Sequence, residues 1–584
     1  MRRLKKRLLN LKPLDQRRLK SVYIFALVLI VGLFGRIVNL QVINSALLDA
    51  KARAIQIQRT NALNGRRSIV DRNNRLIAYD ISLYRLWAHP QYFNFPGDIS
   101  SYRRSIEEVV TKLASVLDIE EEIILSKFIN ENTGVKLFDA LTEEEASEIR
   151  ELYISGLDLE EYSQRIYPQG NIFSNIIGFV NDENNGSSGL ELHLDNLISV
   201  FRESRILNEG GDGTPLPDVS GPNDFVNDDR DIMLTLDSRL QKIAFEALST
   251  QVEEWDAEKG LAIVMNVNNG EILSLVSVPS YNPNKFWEYN LNDFNGWFAL
   301  DLFEPGSTFK PINLALALEE EIIEKDGVVD DSGNVFIGGW EIANWDGKGN
   351  GLINYPEVLQ FSSNVGMVKI MNGMDPSTYW EWLNKLGINK TITTDLFEIT
   401  PGYLKPKDIF LTQPIEPAVT SFGQGFSISS LKLAQLHAAL ANGGYEVIPH
   451  VTYDFKHEIN NIEKERYFSE NVTKIVLEWM ESVVNEGTGI GAMVEGYRIG
   501  GKTGTSQKAI DGIYSDKKTV SFIATLPIDN PQYLVLVVID EPSKPYAYGS
   551  TVAVPVAKEI IESLIVLEEI PPSTIETKII VKKP

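Results

Sequence analysis

The sequence predicts an α/β (α+β) domain over residues 236–568, with a mainly antiparallel central sheet flanked by helices. Three observations predict it. Residues 238–253 carry apolar side chains at helical spacing. Leu261 to Val267 and Glu271 to Val276 flank Asn268-Asn269-Gly270, a strong hairpin-turn sequence. Gln532 to Ile539 is an almost continuous apolar run, as expected of a central strand. Strands and helices are mixed without strict alternation.

At 584 residues the chain exceeds one ordinary domain, and two or three are expected. Its composition is that of a chain able to bury substantial cores, 43% hydrophobic and 23% charged. Residues 44–235 read as a separate, loop-rich N-terminal domain, with helices near 104–117 and 142–152. Asn208 to Arg230 is rich in Gly, Pro, Asp and Asn and reads as a loop or linker. Residues 231–236 read as a strand, and 569–584 as a C-terminal tail.

Charge is distributed unevenly. Residues 1–20 carry nine basic side chains against one acid, Asp15, a net +8; residues 21–584 therefore carry −33 of the chain's −25. So acidic a body argues against binding a phosphate backbone, and no nucleic-acid partner is expected. The basic tail precedes Val22 to Gly35, 14 residues without a charge, and the apolar character resumes after Arg36. With Arg36 snorkelling to the far interface, residues 21–43 are long enough to span a bilayer. The basic flank keeps residues 1–20 cytoplasmic and sends the rest outward. The alternative is a cleaved signal peptide, but the small-residue pattern Ala52-Arg53-Ala54 lies too far past the apolar core. The reading taken is a single transmembrane anchor.

There is no cysteine, which excludes disulfides and thiolate chemistry. The five histidines (His89, His193, His437, His450 and His457) are scattered, without metal-ligand spacing. No metal or cofactor is implied. If a serine is the nucleophile, its base is not expected to be histidine.

Three short motifs occur in order: Ser307-Thr308-Phe309-Lys310, Ser362-Ser363-Asn364 and Lys502-Thr503-Gly504. Alone, each is weak. S-x-x-K recurs at Ser429/Lys432 and Ser515/Lys518, and S-x-N at Ser280/Asn282, Ser332/Asn334 and Ser469/Asn471; K-T-G occurs once. Pro311 is tolerated only in a first helical turn, which puts a helix start near Ser307. The i, i+3 spacing brings Lys310 to the face of the Ser307 hydroxyl, at the positive end of the helix dipole. From this motif alone, an ordinary N-cap is the favoured reading of Ser307. The same reading suits Ser429, whose helix ends at Asn442-Gly443-Gly444. Ser515/Lys518 reads as a solvated loop. Lys502-Thr503-Gly504-Thr505 follows Gly500-Gly501 and the strand-like Tyr497 to Ile499. Glycines strip a strand edge of side chains, so a peptide can approach and pair there; a hairpin corner is the alternative.

Taken together, the motifs resemble those of the class B penicillin-binding proteins, and within them the FtsI-like septal transpeptidases. The matching stretches are Phe303-Glu304-Pro305-Gly306-Ser307-Thr308-Phe309-Lys310-Pro311, Ser362 to Gly366, Phe422-Gly423-Gln424-Gly425, Ala441 to Gly444, Gly487-Thr488-Gly489 and Gly501 to Thr505. Their order and spacing overturn the N-cap reading of Ser307. Arg66 to Asn73, Arg165-Ile166-Tyr167-Pro168 and Gly189-Leu190-Glu191 resemble the family's N-terminal pedestal motifs. Arg67 and Asn74 depart from it, standing where the family usually or often has glycine, and Ser506 stands where alanine is common.

The resemblance implies a penicillin-binding transpeptidase domain over 236–568, a pedestal over 44–235, and serine acyl transfer on peptidoglycan stem peptides. Ser307 would be the nucleophile and Lys310 the base. Free lysine, with a pKa of about 10.4, must be held neutral, by burial and by the second cation Lys502. Ser362 would relay a proton to the leaving amine. Asn364 would hold the donor peptide and orient Lys310. Lys502, Thr503 and Thr505 would take the substrate carboxylate, beside Gly504, and the N–H groups of Ser307 and Thr505 would form an oxyanion hole. β-Lactams would inhibit by acylating Ser307. Association with an FtsW-type glycosyltransferase and other division proteins is implied as well. The alternatives are an elongation-type transpeptidase, a D,D-carboxypeptidase or β-lactamase, and a non-catalytic β-lactam sensor.

Overall fold

The computed structural model describes residues 16–44, 57–59, 64–93, 105–128, 134–201, 206–208, 230–294, 296–397, 399–459, 462–510 and 513–573. Most of the basic tail (1–15), most of the linker (209–229) and the end of the chain (574–584) lie outside the described residues. The chain falls into two compact units, Met1–Leu63 with Phe201–Asn227, and Asn64–Val200 with Asp228–Pro584.

The first unit contains helix α1 (Gln16–Val38), which runs on as a π-turn over Asn39–Ile43. Among the described residues, Lys20–Gln41 is the one helical stretch long and apolar enough to cross a membrane. Its 22 residues span about 33 Å at 1.5 Å per residue, against about 30 Å of bilayer hydrocarbon. Ile57–Arg59 and Ile206–Asn208 pair antiparallel in the same unit.

In the second unit, the long strand Leu76–Ala88 pairs antiparallel with Val135–Leu141 and Leu157–Ile166. Helices Ile106–Leu117 and Glu143–Glu151 cover it, within two residues of their predicted bounds. Ser105 caps the first; Thr142 and Glu145 close a capping box on the second. Val109, Leu113 and Ile149 bury against Leu86 and Leu137.

The three pedestal motifs converge on one ion cluster. Glu191, fully buried, accepts from Arg66 Nε at 2.8 Å and Arg165 Nε at 2.7 Å. Arg165 also donates to Asp80 at 3.0 Å, and Arg66 to Asp195 at 2.6 Å. Charges so deeply buried are tolerated only when paired. Asp71 then joins this region to the one that carries the central sheet, accepting from the N–H groups of Asn73, Arg75 and Ser238. The departure at Asn74 has a physical reason. Its φ is +60°, a left-handed turn conformation that glycine favours and asparagine tolerates.

The central sheet is built from β1 (Lys259–Asn266), β2 (Ile272–Val278), β3 (Gly500–Ile510), β4 (Ile513–Leu526) and β5 (Tyr533–Asp540). Its order is β2-β1-β5-β4-β3, antiparallel throughout, with the apolar β5 at the centre as predicted. Successive side chains leave opposite faces of a strand. Leu534, Leu536 and Val538 thus join one core, and Val535, Val537 and Ile539 the other. The second core is closed by helices α2 (Ser238–Glu254) and α7 (Val554–Leu567). The first is closed by α3 (Lys310–Glu319), α4 (Asn364–Met371), α5 (Ser430–Ala441) and α6 (Glu470–Glu486). Both faces of β5 are buried, which is why its sequence is continuously apolar.

Two local readings change. The strand expected from Tyr497 begins at Gly500. Ser515 to Lys518, read as a solvated loop, lies on β4, where Lys518 pairs with Gln507. These polar residues extend the β3–β4 ladder beyond the core, so backbone pairing rather than burial makes them a strand. At the other end of the chain, Ser573 is buried and its N–H is held by Gly496 O at 2.9 Å.

Candidate active site

The site forms where α3 and α4 meet the edge strand β3. Gly306–Phe309 makes a single 3₁₀ turn, and α3 proper begins at Lys310, with Pro311 in its first turn. Ser307 is therefore not the N-cap of α3; Phe309 occupies that position, without a side-chain bond. Ser429, by contrast, is an N-cap, taking the Lys432 N–H at 3.2 Å.

The turn bearing Ser307 is clamped from several sides. Gly306 N donates to Gly423 O at 2.9 Å. Gly423 has φ +87°, and a Cβ there would overlap the Gly306 carbonyl. Thr308 Oγ1 donates to Pro305 O at 2.6 Å. The buried His437 meets Thr308 O through Nε2 at 2.7 Å. Burial pushes its imidazole down to about 4 against the lift from that bond, so it is neutral at pH 7 and must be the donor. His437 supports the turn. No local sequence pattern marks it, because its partner lies 129 residues away.

Ser362 brings the predicted polar residues together. Its hydroxyl donates to Ser307 Oγ at 3.0 Å, and it lies 3.0 Å from Lys502 Nζ and 3.3 Å from Lys310 Nζ. Lys310 also donates to Ser362 O at 2.6 Å and Asn364 Oδ1 at 2.8 Å. A neutral amine has two N–H donors and one lone pair. The carbonyl and the amide oxygen use the two donors, and the lone pair is left to take the Ser362 hydroxyl proton once that hydroxyl turns away from Ser307. Burial, and then the charge of Lys502, hold Lys310 well below the usual lysine range; Asp331 opposes them. Burial brings Lys502 down to about 7.

Ser362 itself sits at φ +57°, a costly conformation for a residue with a side chain. The strain turns its carbonyl and its hydroxyl toward Lys310 together. This conformation is not legible in Ser362-Ser363-Asn364.

Across the site, β3 is the sheet edge, as its glycines suggested. A Cβ on Gly504 would overlap Ser521 Oγ and stand 3.0 Å from Thr308 Cγ2, so the missing side chain lets the turn bearing Ser307 lie against the strand. Thr503 Oγ1 bonds Thr488 Oγ1 at 2.7 Å, and Thr505 Oγ1 accepts from Gly549 N at 3.2 Å. Ser506, the residue after Lys502-Thr503-Gly504-Thr505, donates to Glu304 O at 2.9 Å and so ties β3 to the segment before Ser307. A cavity of about 290 Å³ adjoins this ensemble, lined by Asn344, Trp345, Phe361 and Thr488 among others.

This arrangement spans a region with a family counterpart. Residues 260–562 match the penicillin binding protein transpeptidase domain, and 63–200 the penicillin-binding protein dimerisation domain. The chain belongs to the penicillin-binding protein family. All eight predicted site residues fall inside the transpeptidase domain, and the Arg66–Arg165–Glu191 cluster inside the dimerisation domain. Relatives include the peptidoglycan D,D-transpeptidase FtsI homolog of Mesostigma viride, 37% identical over 93% of this chain and 94% of that one. The peptidoglycan D,D-transpeptidase FtsI of Escherichia coli (strain K12) is 30% identical, over 93% and 91%. Among solved structures, a peptidoglycan synthetase from Bifidobacterium adolescentis ATCC 15703 shares the fold, with TM-score 0.65 at 22% identity, over 88% of this chain and 97% of that one. This penicillin-binding protein is thus FtsI-like, as its motifs suggested. The one long apolar helix among the described residues and these relatives fit a single-pass membrane protein.

Proposed function

We propose that this penicillin-binding protein is a peptidoglycan D,D-transpeptidase that cross-links stem peptides through an acyl-enzyme on Ser307. One observation carries the reading: Ser307 is hydrogen-bonded to Ser362, which contacts two buried lysines, both with lowered proton affinity.

The donor peptide ends in D-Ala-D-Ala and lies along β3, pairing with its free edge. Ser307 Oγ attacks the penultimate carbonyl carbon. Its proton passes to Lys310, directly or by way of the Ser362 hydroxyl. The oxyanion is held by the N–H groups of Ser307 and Thr505. Collapse breaks the peptide C–N bond. The leaving D-alanine amine takes a proton through Ser362, and the acyl ester remains on Ser307. The amine of a second stem peptide then attacks that ester, forms the cross-link amide and returns the serine hydroxyl.

Lys502 is placed to draw the donor's terminal carboxylate, with the hydroxyls of Thr503 and Thr505. An anion bound there raises the proton affinity of Lys502 and keeps it charged. Asn364 has a double part, holding Lys310 through Oδ1 and the donor's amide carbonyl through the Nδ2 hydrogen not given to Ala343 O. β-Lactams acylate the same serine as mimics of the donor.

The basic flank ahead of the apolar helix supports this chemistry on the extracytoplasmic face of the membrane, with residues 1–20 in the cytoplasm. The FtsI names of the relatives support septal wall synthesis, and an FtsW-type glycosyltransferase is the partner proposed with it. The test uses the full-length chain in detergent with a pentapeptide stem donor and an acceptor amine. It is expected to release D-alanine and form cross-linked product, and Lys310→Ala to abolish both while the fold persists. D-alanine release at the wild-type rate by Lys310→Ala would overturn the assigned base.

A further inference from the structure

Helix α4 begins at Asn364, the residue that holds Lys310. A helix start leaves backbone N–H groups without partners in the helix. Ser363 takes one of them, from Gly366 N at 2.8 Å. Asn364 N and Val365 N instead donate to Oδ1 of Asn344, at 2.9 and 3.2 Å. Asn344 is buried and lies 20 residues upstream, just after the strand Trp340–Ala343. The same stretch fixes the Asn364 side chain. Its Nδ2 donates to Ala343 O at 3.1 Å, which leaves Oδ1 facing Lys310.

The Asn344 amide is in turn locked. Its Nδ2 donates to both oxygens of Asp331, at 2.8 and 2.9 Å, and to Lys348 O at 2.8 Å. Asp331 is fully buried and also accepts from Asn350 Nδ2 at 2.6 Å and Gly333 N at 3.1 Å. Burial raises its carboxyl, but the bonds from Asn350, Asn344 and Gly333 outweigh that and hold it below the usual range, so it is an anion.

We propose that Asp331 and Asn344 are positioning residues for the acyl-transfer site. The carboxylate fixes the Asn344 amide, Asn344 fixes the start of α4, and α4 delivers Asn364 to Lys310. This rests on the reading of Lys310 as the base. A purely structural turn would need the same bonds, so the two roles are separated by charge. The charged groups acting on Lys310 are Lys502, from β3, and Asp331, from the strand Val328–Asp331. Asp331 lifts the proton affinity of Lys310 against the effects of burial and Lys502. Its loss shifts Lys310 further down.

The experiment measures the second-order rate of acylation by a fluorescent penicillin against pH, with Tm alongside, for the full-length chain. Asp331→Asn sets an amide donor against the donors of Asn344 and Asn350. It is expected to slow acylation at neutral pH by about tenfold or more. It is also expected to move the acid limb of the pH profile to lower pH. The exchange Asp331→Asn with Asn344→Asp again sets one carboxylate against one amide and still offers an acceptor to Asn364 N and Val365 N, but it gives up the bond to Lys348 O. It is expected to recover part of the rate and to return the acid limb toward wild type. If Asp331→Asn does not fold, the exchanged pair decides alone. A folded exchange variant that stays slow, or an Asp331→Asn protein with the wild-type profile, overturns the proposal. Failure of the Lys310 reading is seen separately, as unchanged acylation in Lys310→Ala.

Discussion

Ser362 carries the sharpest consequence of this geometry, because one residue bears both strain and chemistry. Replacing it by alanine removes the hydroxyl and keeps a side chain at φ +57°. Replacing it by glycine removes both the hydroxyl and the strain. A non-glycine residue in the left-handed region costs about 1–3 kcal/mol. Glycine gives back about 0.5–1 kcal/mol through the greater backbone entropy it loses on folding. Ser362→Gly is therefore expected to be more stable than Ser362→Ala by about 1 kcal/mol, roughly 2 °C in Tm. Both variants break the link between Ser307 and the lysines, and both should lose acylation by about 10²–10⁴-fold, the usual worth of positioned proton transfer. Thermal unfolding and fluorescent-penicillin kinetics on the same preparations read the two effects separately. A Ser362→Gly enzyme acylating within about tenfold of wild type would refute the proton path. One no more stable than Ser362→Ala would refute the strain.

The buried lysines and the pedestal give two further expectations. Lys502 releases its proton near 7 in the folded chain and near its ordinary 10.5 when unfolded. Unfolding therefore takes up protons between those values, and stability rises with pH across that window. Lys502→Met should flatten the rise of Tm between about pH 7 and 9, leaving the parts due to Lys310 and to Lys432, which burial brings down to about 8, and should weaken acylation by carboxylate-bearing β-lactams. Unaltered pH dependence of Tm would contradict burial of a titrating Lys502. In the pedestal, Glu191→Gln leaves Arg66 and Arg165 short of their shared anion and should cost about 3 kcal/mol, the usual penalty for breaking a buried pair. Denaturant unfolding checks this; a change within the measuring error would mean that Asp80 and Asp195 suffice.

The parts of the fold legible in the sequence were those set by local periodicity. Gln532 to Ile539 gave a central strand, because both faces of β5 are buried. Asn268-Asn269-Gly270 marked the β1–β2 turn, and Ser429 a real cap. That Ser307, Lys310, Ser362, Asn364 and Lys502 come together was legible too, through three motifs in order. Their geometry was not. The i, i+3 spacing set Lys310 beside Ser307, whereas the bonds formed run from Lys310 to Ser362 and from Ser362 to Ser307. That link depends on an inverted φ at Ser362 and on a contact spanning 52 residues. Gly423 under the Ser307 turn, His437 behind it and Asn344 at the start of α4 are likewise long-range partners. Ser515 to Lys518 looked like a loop because polarity is read as exposure, and pairing with β3 leaves no apolar mark.

The central claim is that Ser307 is the acylated residue. Full-length protein is incubated with a penicillin, digested, and the adduct located by mass spectrometry. A single covalent adduct is expected on the hydroxyl of Ser307, absent from Ser307→Ala. An adduct on Ser362 or Ser429, or one that persists in Ser307→Ala, would contradict it.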